Sequence, residues 1–216
     1  MNIDYVFPHP IARIDISDEV DNELLLSSVR ELSEGIDETH ASKFWDCKLL
    51  TSFQNEKVNH ELARKNSAFI EVIEKYANEF MMHVGWYQPN KKNHITQMWF
   101  NRYVEGYHFQ EAHNHGVHEV CAIYYATDDL TPTLFLNPNT WTFHNHYDVT
   151  DVTPVTTKDY RSFAQKGTLV LFPGYLLHSV PYIRKNESNF ELSKDRVTIA
   201  MNFGKYEKSL LTKAKL

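Results

Sequence analysis

The sequence predicts a mainly β chain with N-terminal helices, an α+β arrangement in which an antiparallel sandwich or barrel carries helices on one sheet. Three observations predict it. Apolar residues recur at helical spacing through the first third of the 216 residues. From residue 94 onward the period changes to two, in short runs rich in Val, Ile, Tyr and Phe. No helical pattern separates those runs, whereas a parallel sheet needs a crossover between successive strands.

Residues 5–16 (YVFPHPIARIDI) are apolar and β-branched with two prolines, which suits an edge strand or extended arm. Ser17 or Asp18 is positioned to cap a helix carrying Val20, Leu24, Leu25 and Leu32, with Gly35 as its stop. Residues 36–56 read as loop. A second helix is expected over 58–84, where Leu62, Phe69, Ile70, Ile73, Tyr76, Ala77, Phe80 and Val84 form a stripe that packs on a sheet. Strands are expected over 95–104, 118–127, 133–137, 168–173, 177–183 and 196–203. The stretch 139–160, polar and aromatic, reads as a lid or recognition loop, with a second metal site at His144 and His146 as a minor alternative. The length fits one domain, 1–216, with an arm and helices over 1–90 and the β core over 94–204.

Composition excludes several classes. A net charge of −6 argues against binding nucleic acid by bulk electrostatics. No apolar run approaches the roughly 20 residues of a membrane span. The start MNIDYVFPHP lacks a basic stretch followed by an apolar one, and Cys47 and Cys121 cannot form a disulfide framework. A cytoplasmic protein is therefore expected. The seven glycines are scattered singly, so no phosphate-cradling loop is available.

The twelve histidines point elsewhere, since seven of them lie between His94 and His146. In His113-Asn114-His115, residues i and i+2 of a strand point to one face, so both imidazoles can reach one metal ion. A strand ending in Phe172-Pro173, a turn, and then His178 supplies a third ligand. Three protein ligands on one side leave positions open on the metal, as in a mononuclear site inside a double-stranded β-helix. On the strand from Arg196, one face reads Arg196, Thr198, Ala200, Asn202; the other, Val197, Ile199, Met201, Phe203, is core. A guanidinium beside a hydroxyl suits a carboxylate, because the planar fork offers parallel donors. The face Glu119, Cys121, Ile123, Tyr125 shares the inward parity, which makes the Tyr125 hydroxyl a pocket donor. Cys121 reads as a buried structural thiol.

The segments HNHGVHEVCAIYYA, TLFLNP, GTLVLFPGYLLHSVP and RVTIAMNF together resemble the Fe(II)/2-oxoglutarate-dependent oxygenase superfamily. The Tyr-Tyr strand and R-x-T are similar to those of prolyl hydroxylases. More narrowly, FPHP, Trp99-Phe100-Asn101, H-x-H, F-P-x-x-L-x-H and R-x-T-x-x-x-N resemble the 2-oxoglutarate oxygenases found in marine bacteria and their phages. The resemblance implies a jelly-roll, cupin-like core and Fe(II) as the metal. It implies 2-oxoglutarate as cosubstrate, with its distal carboxylate on Arg196 assisted by Thr198 and Tyr125. It also implies O2 and a small-molecule or peptide substrate that is hydroxylated, in a host cytoplasm if phage-encoded. His115 stands where the superfamily usually has Asp or Glu. Glu119 could supply that carboxylate in a cupin-type metalloenzyme that does not use 2-oxoglutarate. A non-enzymatic jelly-roll binding protein is the third reading.

Overall fold

The computed structural model describes residues 9–37, 39–47, 49–86, 93–103, 108–140, 157–182 and 195–204. Among them the chain forms ten strands, three α-helices and one 3-10 turn.

Strand β1 (Ala12–Asp15) is an edge strand, as the nearby prolines require. Helix α1 (Asn22–Ser33) begins later than expected. Its cap is Asp21, whose carboxylate accepts from Leu24 N at 2.9 Å, and not Ser17 or Asp18. The delayed start turns Leu25, Leu26 and Val29 inward and leaves Leu24 exposed. Asn22 anchors the helix to the sheet: its amide donates to the Ala126 carbonyl and its oxygen accepts from the Tyr124 hydroxyl, both at 3.0 Å. Residues 36–56 are not all loop. They hold the 3-10 turn Ala41–Lys43 and the two-residue strand β2 (Leu50–Thr51).

The long helix expected over 58–84 is two helices, α2 (Glu56–Lys65) and α3 (Ser67–His83). Asn66 divides them. Its side-chain amide donates to the Leu62 carbonyl at 2.9 Å, and its ψ of 42° departs from helical geometry. The stripe nevertheless stays in register: Leu62, Phe69, Ile70, Ile73, Ala77 and Phe80 are all buried.

The remaining strands are β3 (His94–Tyr103), β4 (Gln110–His113), β5 (Val120–Tyr125), β6 (Asp129–Leu136), β7 (Asp159–Ala164), β8 (Thr168–Pro173), β9 (His178–Val180) and β10 (Arg196–Gly204). They form two antiparallel sheets, six strands in the order β1-β8-β5-β10-β3-β2 and four in the order β4-β9-β6-β7. This is the jelly roll. Alternation along each strand divides the apolar residues between two cores. Ala122, Tyr124, Leu169, Leu171, Val197, Ile199 and Met201 face the helices. Cys121, Ile123, Tyr125, Val170 and Phe172 face Phe135 of the smaller sheet. Each such aliphatic or aromatic side chain contributes roughly 1.5–3 kcal/mol by leaving water.

One glycine is dictated by a close approach. A Cβ on Gly174 would lie 2.0 Å from the His118 carbonyl oxygen. Gly174 O also accepts from His115 N at 2.9 Å, so the β8–β9 turn is seated against the loop that follows β4. Gly174→Ala is expected to cost about 2 kcal/mol or more, read as a lowered denaturation midpoint. It should also disturb His178, because the displaced turn leads into that residue.

Candidate functional site

The two sheets enclose a cleft of about 390 Å³, including its open mouth. Three histidines stand at one end. His113 closes β4, His178 opens β9, and the two are direct cross-strand partners. His115 does not lie on the strand. Asn114 turns the chain by accepting from Gly116 N at 3.0 Å, and Gly116 takes a φ of 58°. The backbone pairing of His115 with Gly174 nevertheless keeps its imidazole beside the other two. One ring nitrogen from each of His113, His115 and His178 lies within 4.8 Å of the others.

The second nitrogen of each ring is spoken for. Nδ1 of His113 faces the Glu111 carbonyl at 2.9 Å, and Nδ1 of His178 faces the Leu176 carbonyl at 3.0 Å. Nδ1 of His115 is hydrogen-bonded to the side-chain oxygen of Asn202. A carbonyl oxygen only accepts, so each Nδ1 carries the proton and each Nε2 keeps a lone pair. Three bare Nε2 atoms, each oriented by a partner outside the site, are what a metal ion requires. Aromatic rings enclose them. Phe172 lies edge-on 4.9 Å from His178, and Trp99 lies 5.6 Å from His115.

Burial lowers the pKa of all three imidazoles. His113 falls below 6.5, His115 falls to about 4, and His178 falls well below 6.5, with His113 and His115 adding to the effect on His178. Below pH 6.5 the unfolded chain therefore binds protons that the native triad refuses. Stability present above that pH is lost as pH falls toward 4. The urea midpoint of the metal-free protein should be lower at pH 5 than at pH 7; equal midpoints would contradict a neutral triad.

Arg196 stands at the other end, fully buried at the start of β10. Its guanidinium lies 4.4 Å above the Tyr103 ring. Nε, Nη1 and Nη2 all lack a hydrogen-bond partner, a costly condition for a buried cation. Thr198 and Ala200 follow on the same face and line the cleft, as do Asn101, Gln110 and Thr133. Tyr125 is inward, as its parity predicts, but its hydroxyl is engaged at 2.8 Å by Thr133 Oγ1 and at 3.1 Å by the Ser162 carbonyl. Glu119 is exposed just before β5 and is not among the three clustered ligands. Cys121 is buried with its thiol 3.2 Å from Asn202 Oδ1, and burial raises its pKa. His144 and His146 lie outside the described residues, as does most of 139–160.

Tyr103, Gln110, Thr133, His108 and Asp129 went unnoticed in the sequence. Tyr103 was accessible, since it shares strand parity with Trp99 and Asn101. Gln110 was not, because an irregularity between Gln110 and His113 breaks the alternation.

The residues fit the groups implied. Three neutral imidazoles leave the full charge of a divalent ion uncompensated, and among the described residues the cation in the cleft lining is Arg196. A dianionic chelator with two carboxylates is complementary to such a site.

A jelly roll that brings three clustered histidines and a buried arginine to one cleft has the donor set for a single metal ion and a carboxylate ligand. Residues 97–202 match the family described as "Putative 2OG-Fe(II) oxygenase". No curated protein sequence matches the chain. Among solved structures, the chain is similar to a prolyl-4-hydroxylase of Pseudomonas putida, at 11% identity and a TM-score of 0.56, covering 91% of this chain and 93% of that one. It is similar to AviO1 from Streptomyces viridochromogenes, at 14% identity and a TM-score of 0.58, covering 92% and 91%. It is also similar to HygX from Streptomyces hygroscopicus, determined with nickel and 2-oxoglutarate bound, at 11% identity and a TM-score of 0.52, covering 93% and 85%. These likenesses establish the shared fold. Among the described residues, no helix is long and apolar enough to cross a membrane.

Proposed function

We propose that His113, His115 and His178 hold Fe(II), that Arg196 and Thr198 receive the distal carboxylate of 2-oxoglutarate, and that the enzyme hydroxylates a small organic or peptide substrate. One observation carries this reading: three oriented lone pairs at one end of a cleft, and at the other a buried guanidinium whose nitrogens make no hydrogen bond. Fe(II) supplies the redox chemistry with O2 and 2-oxoglutarate. The protein supplies position and dryness. Asn202 and the Glu111 and Leu176 carbonyls fix the imidazoles. Phe172 and Trp99 limit water around them. Tyr125 acts through Thr133, whose hydroxyl it orients toward the cleft. The likeness to a prolyl-4-hydroxylase supports C–H hydroxylation as the outcome. The chain as one catalytic unit, 1–216, is supported by the helices sharing a core with the six-stranded sheet.

The test is anaerobic addition of 2-oxoglutarate to the Fe(II)-loaded protein. A visible metal-to-ligand charge-transfer absorption is expected, and it should weaken in Arg196→Ala. Bound iron without that absorption would defeat the cosubstrate assignment; failure to bind iron would defeat the metal assignment.

A further inference from the structure

Trp99 carries a donor that the fold does not use. Its side chain is only 4% exposed and lines the cleft, yet Nε1 makes no hydrogen bond. An indole nitrogen can only donate, and a donor left dry and unpaired costs stability. Trp99, Asn101 and Tyr103 face the cleft in a row along β3, opposite Ala200, Thr198 and Arg196 of β10. Tyr103 marks the arginine end of that row. Trp99 marks the histidine end, 5.6 Å from the ring of His115.

A wall of aromatic rings runs from Trp99 toward the surface. Phe53 packs edge-on at 5.1 Å from Trp99. Trp45 lies 4.8 Å from Phe53, and Phe44 packs edge-on at 5.2 Å from the same ring. Trp45 also lies 6.1 Å from His113, so the wall flanks two of the three histidines. These rings are not sealed away as core: Phe44 is 42% exposed, and Trp45 and Phe53 are half-buried. Glu111 fixes the wall in place. Its Oε1 accepts from Asp46 N at 2.9 Å, which ties the segment of Phe44 and Trp45 to β4.

The chemistry of a ligand follows from these groups. Aromatic faces are electron-rich and pack well against C–H groups. The indole N–H takes an oxygen acceptor. Charge has no counterpart here: apart from Arg196 and the three histidines, no cleft-lining residue among those described carries a formal charge at neutral pH. Glu111 is not in that lining, and the exposed Lys43 and Asp46 beside the wall are of opposite sign. Resting on the reading that the histidines hold the metal and Arg196 the cosubstrate, we propose that Trp99, Phe53, Trp45 and Phe44 form the subsite for the substrate that is oxidised. It takes an uncharged, saturated ring bearing a carbonyl or hydroxyl oxygen. The ring lies on the aromatic wall, Trp99 Nε1–H holds its oxygen, and a C–H bond is thereby presented to the metal end of the cleft.

The experiment follows the indole N–H signals by two-dimensional nitrogen–proton NMR, on protein loaded with Zn(II) and 2-oxoglutarate, which does not turn over. The chain has four tryptophans, and Trp99→Phe assigns the Trp99 signal by its loss. Two neutral probes are titrated, N-acetylpiperidine with an amide carbonyl and methyl β-glucoside with hydroxyls. Cyclohexanecarboxylate is the charged control. At least one neutral probe should move the Trp99 signal downfield, the direction of a new hydrogen bond, and shift Trp45 as well. Trp86, which packs on Phe80 away from the cleft lining, should stay still. Which probe responds distinguishes an amide source from a sugar-like one. Trp99→Phe keeps an aromatic ring in place and should weaken the responding probe about 3- to 10-fold, read from Trp45. Trp45→Ala should weaken it at least as much, read from Trp99, with the heat of 2-oxoglutarate binding retained in both variants. A Trp99 signal moved downfield by 2-oxoglutarate alone, and by neither probe, would give the donor to the cosubstrate and overturn the proposal. Indifference to both neutral probes, or a stronger response to the carboxylate, would overturn it too. Failure of 2-oxoglutarate to bind would instead overturn the assignment of Arg196, and this subsite with it. The wild-type titration decides the matter even if a variant fails to fold.

Discussion

Arg196→Met made together with Asp129→Asn, so that no buried charge is left alone, is expected to leave the ligand-free protein about as stable as the wild type while abolishing its response to 2-oxoglutarate. The two halves of that result have one cause. A buried guanidinium with three unpartnered nitrogens contributes little to holding the fold together. Its contact with Asp129 is long, at 4.0 Å, and an asparagine at 129 can still accept from Thr131 N. Replacing both members of a buried ion pair with uncharged groups of similar volume is often neutral, whereas removing one alone strands the other. The melting temperature should therefore stay within about 3 °C of wild type. The cosubstrate loses at least two charge-assisted hydrogen bonds, worth together about 3 kcal/mol or more, so KM for 2-oxoglutarate should rise at least ~100-fold. Thermal shift with and without 2-oxoglutarate measures both halves. A variant that melts far lower without ligand would mean that Arg196 is a structural ion and not a waiting donor.

His178→Ala should have the largest effect on the metal. Disturbing the hydrogen-bond partner of a metal ligand typically costs 10–100-fold in affinity, and removing a ligand exceeds that. Fe(II) affinity should fall at least ~100-fold, with oxygenase activity lost in step. Asn202→Ala is the graded comparison, since it removes the partner of His115 Nδ1 and leaves all three ligands in place. Metal content after dialysis against a weak chelator separates the two. Retention of wild-type iron by His178→Ala would remove His178 from the centre.

Much of this site was legible because strand parity is a local property. Arg196, Thr198 and Ala200 face the cleft while Val197, Ile199 and Met201 face the helices, as alternation alone predicts. The same rule placed Tyr125 and Cys121 inward. It failed where the chain departs from regular strand. His115 lies past the end of β4, and only its pairing with Gly174 returns it to the site. The division of the long helix at Asn66 was equally hidden, because the apolar stripe continues through it and the break comes from a single side-chain hydrogen bond. Asp129 is distant in sequence from Arg196 and belongs to no motif, so its contact with the guanidinium was hidden as well.

The strand that carries His178 is only three residues long, yet it lies between β4 and β6 within the smaller sheet. Few ladder bonds hold it, and elements held so lightly open at low free energy. Its His178 is also the cross-strand partner of His113 on one side and of Phe135 on the other. A metal ion joining the two histidines would act as a rivet through this thin strand, clamping β9 against β4. Loading the enzyme and finishing its smaller sheet are then a single event. Amide exchange in β9 should slow sharply once metal is added, while β5 and β10 change little.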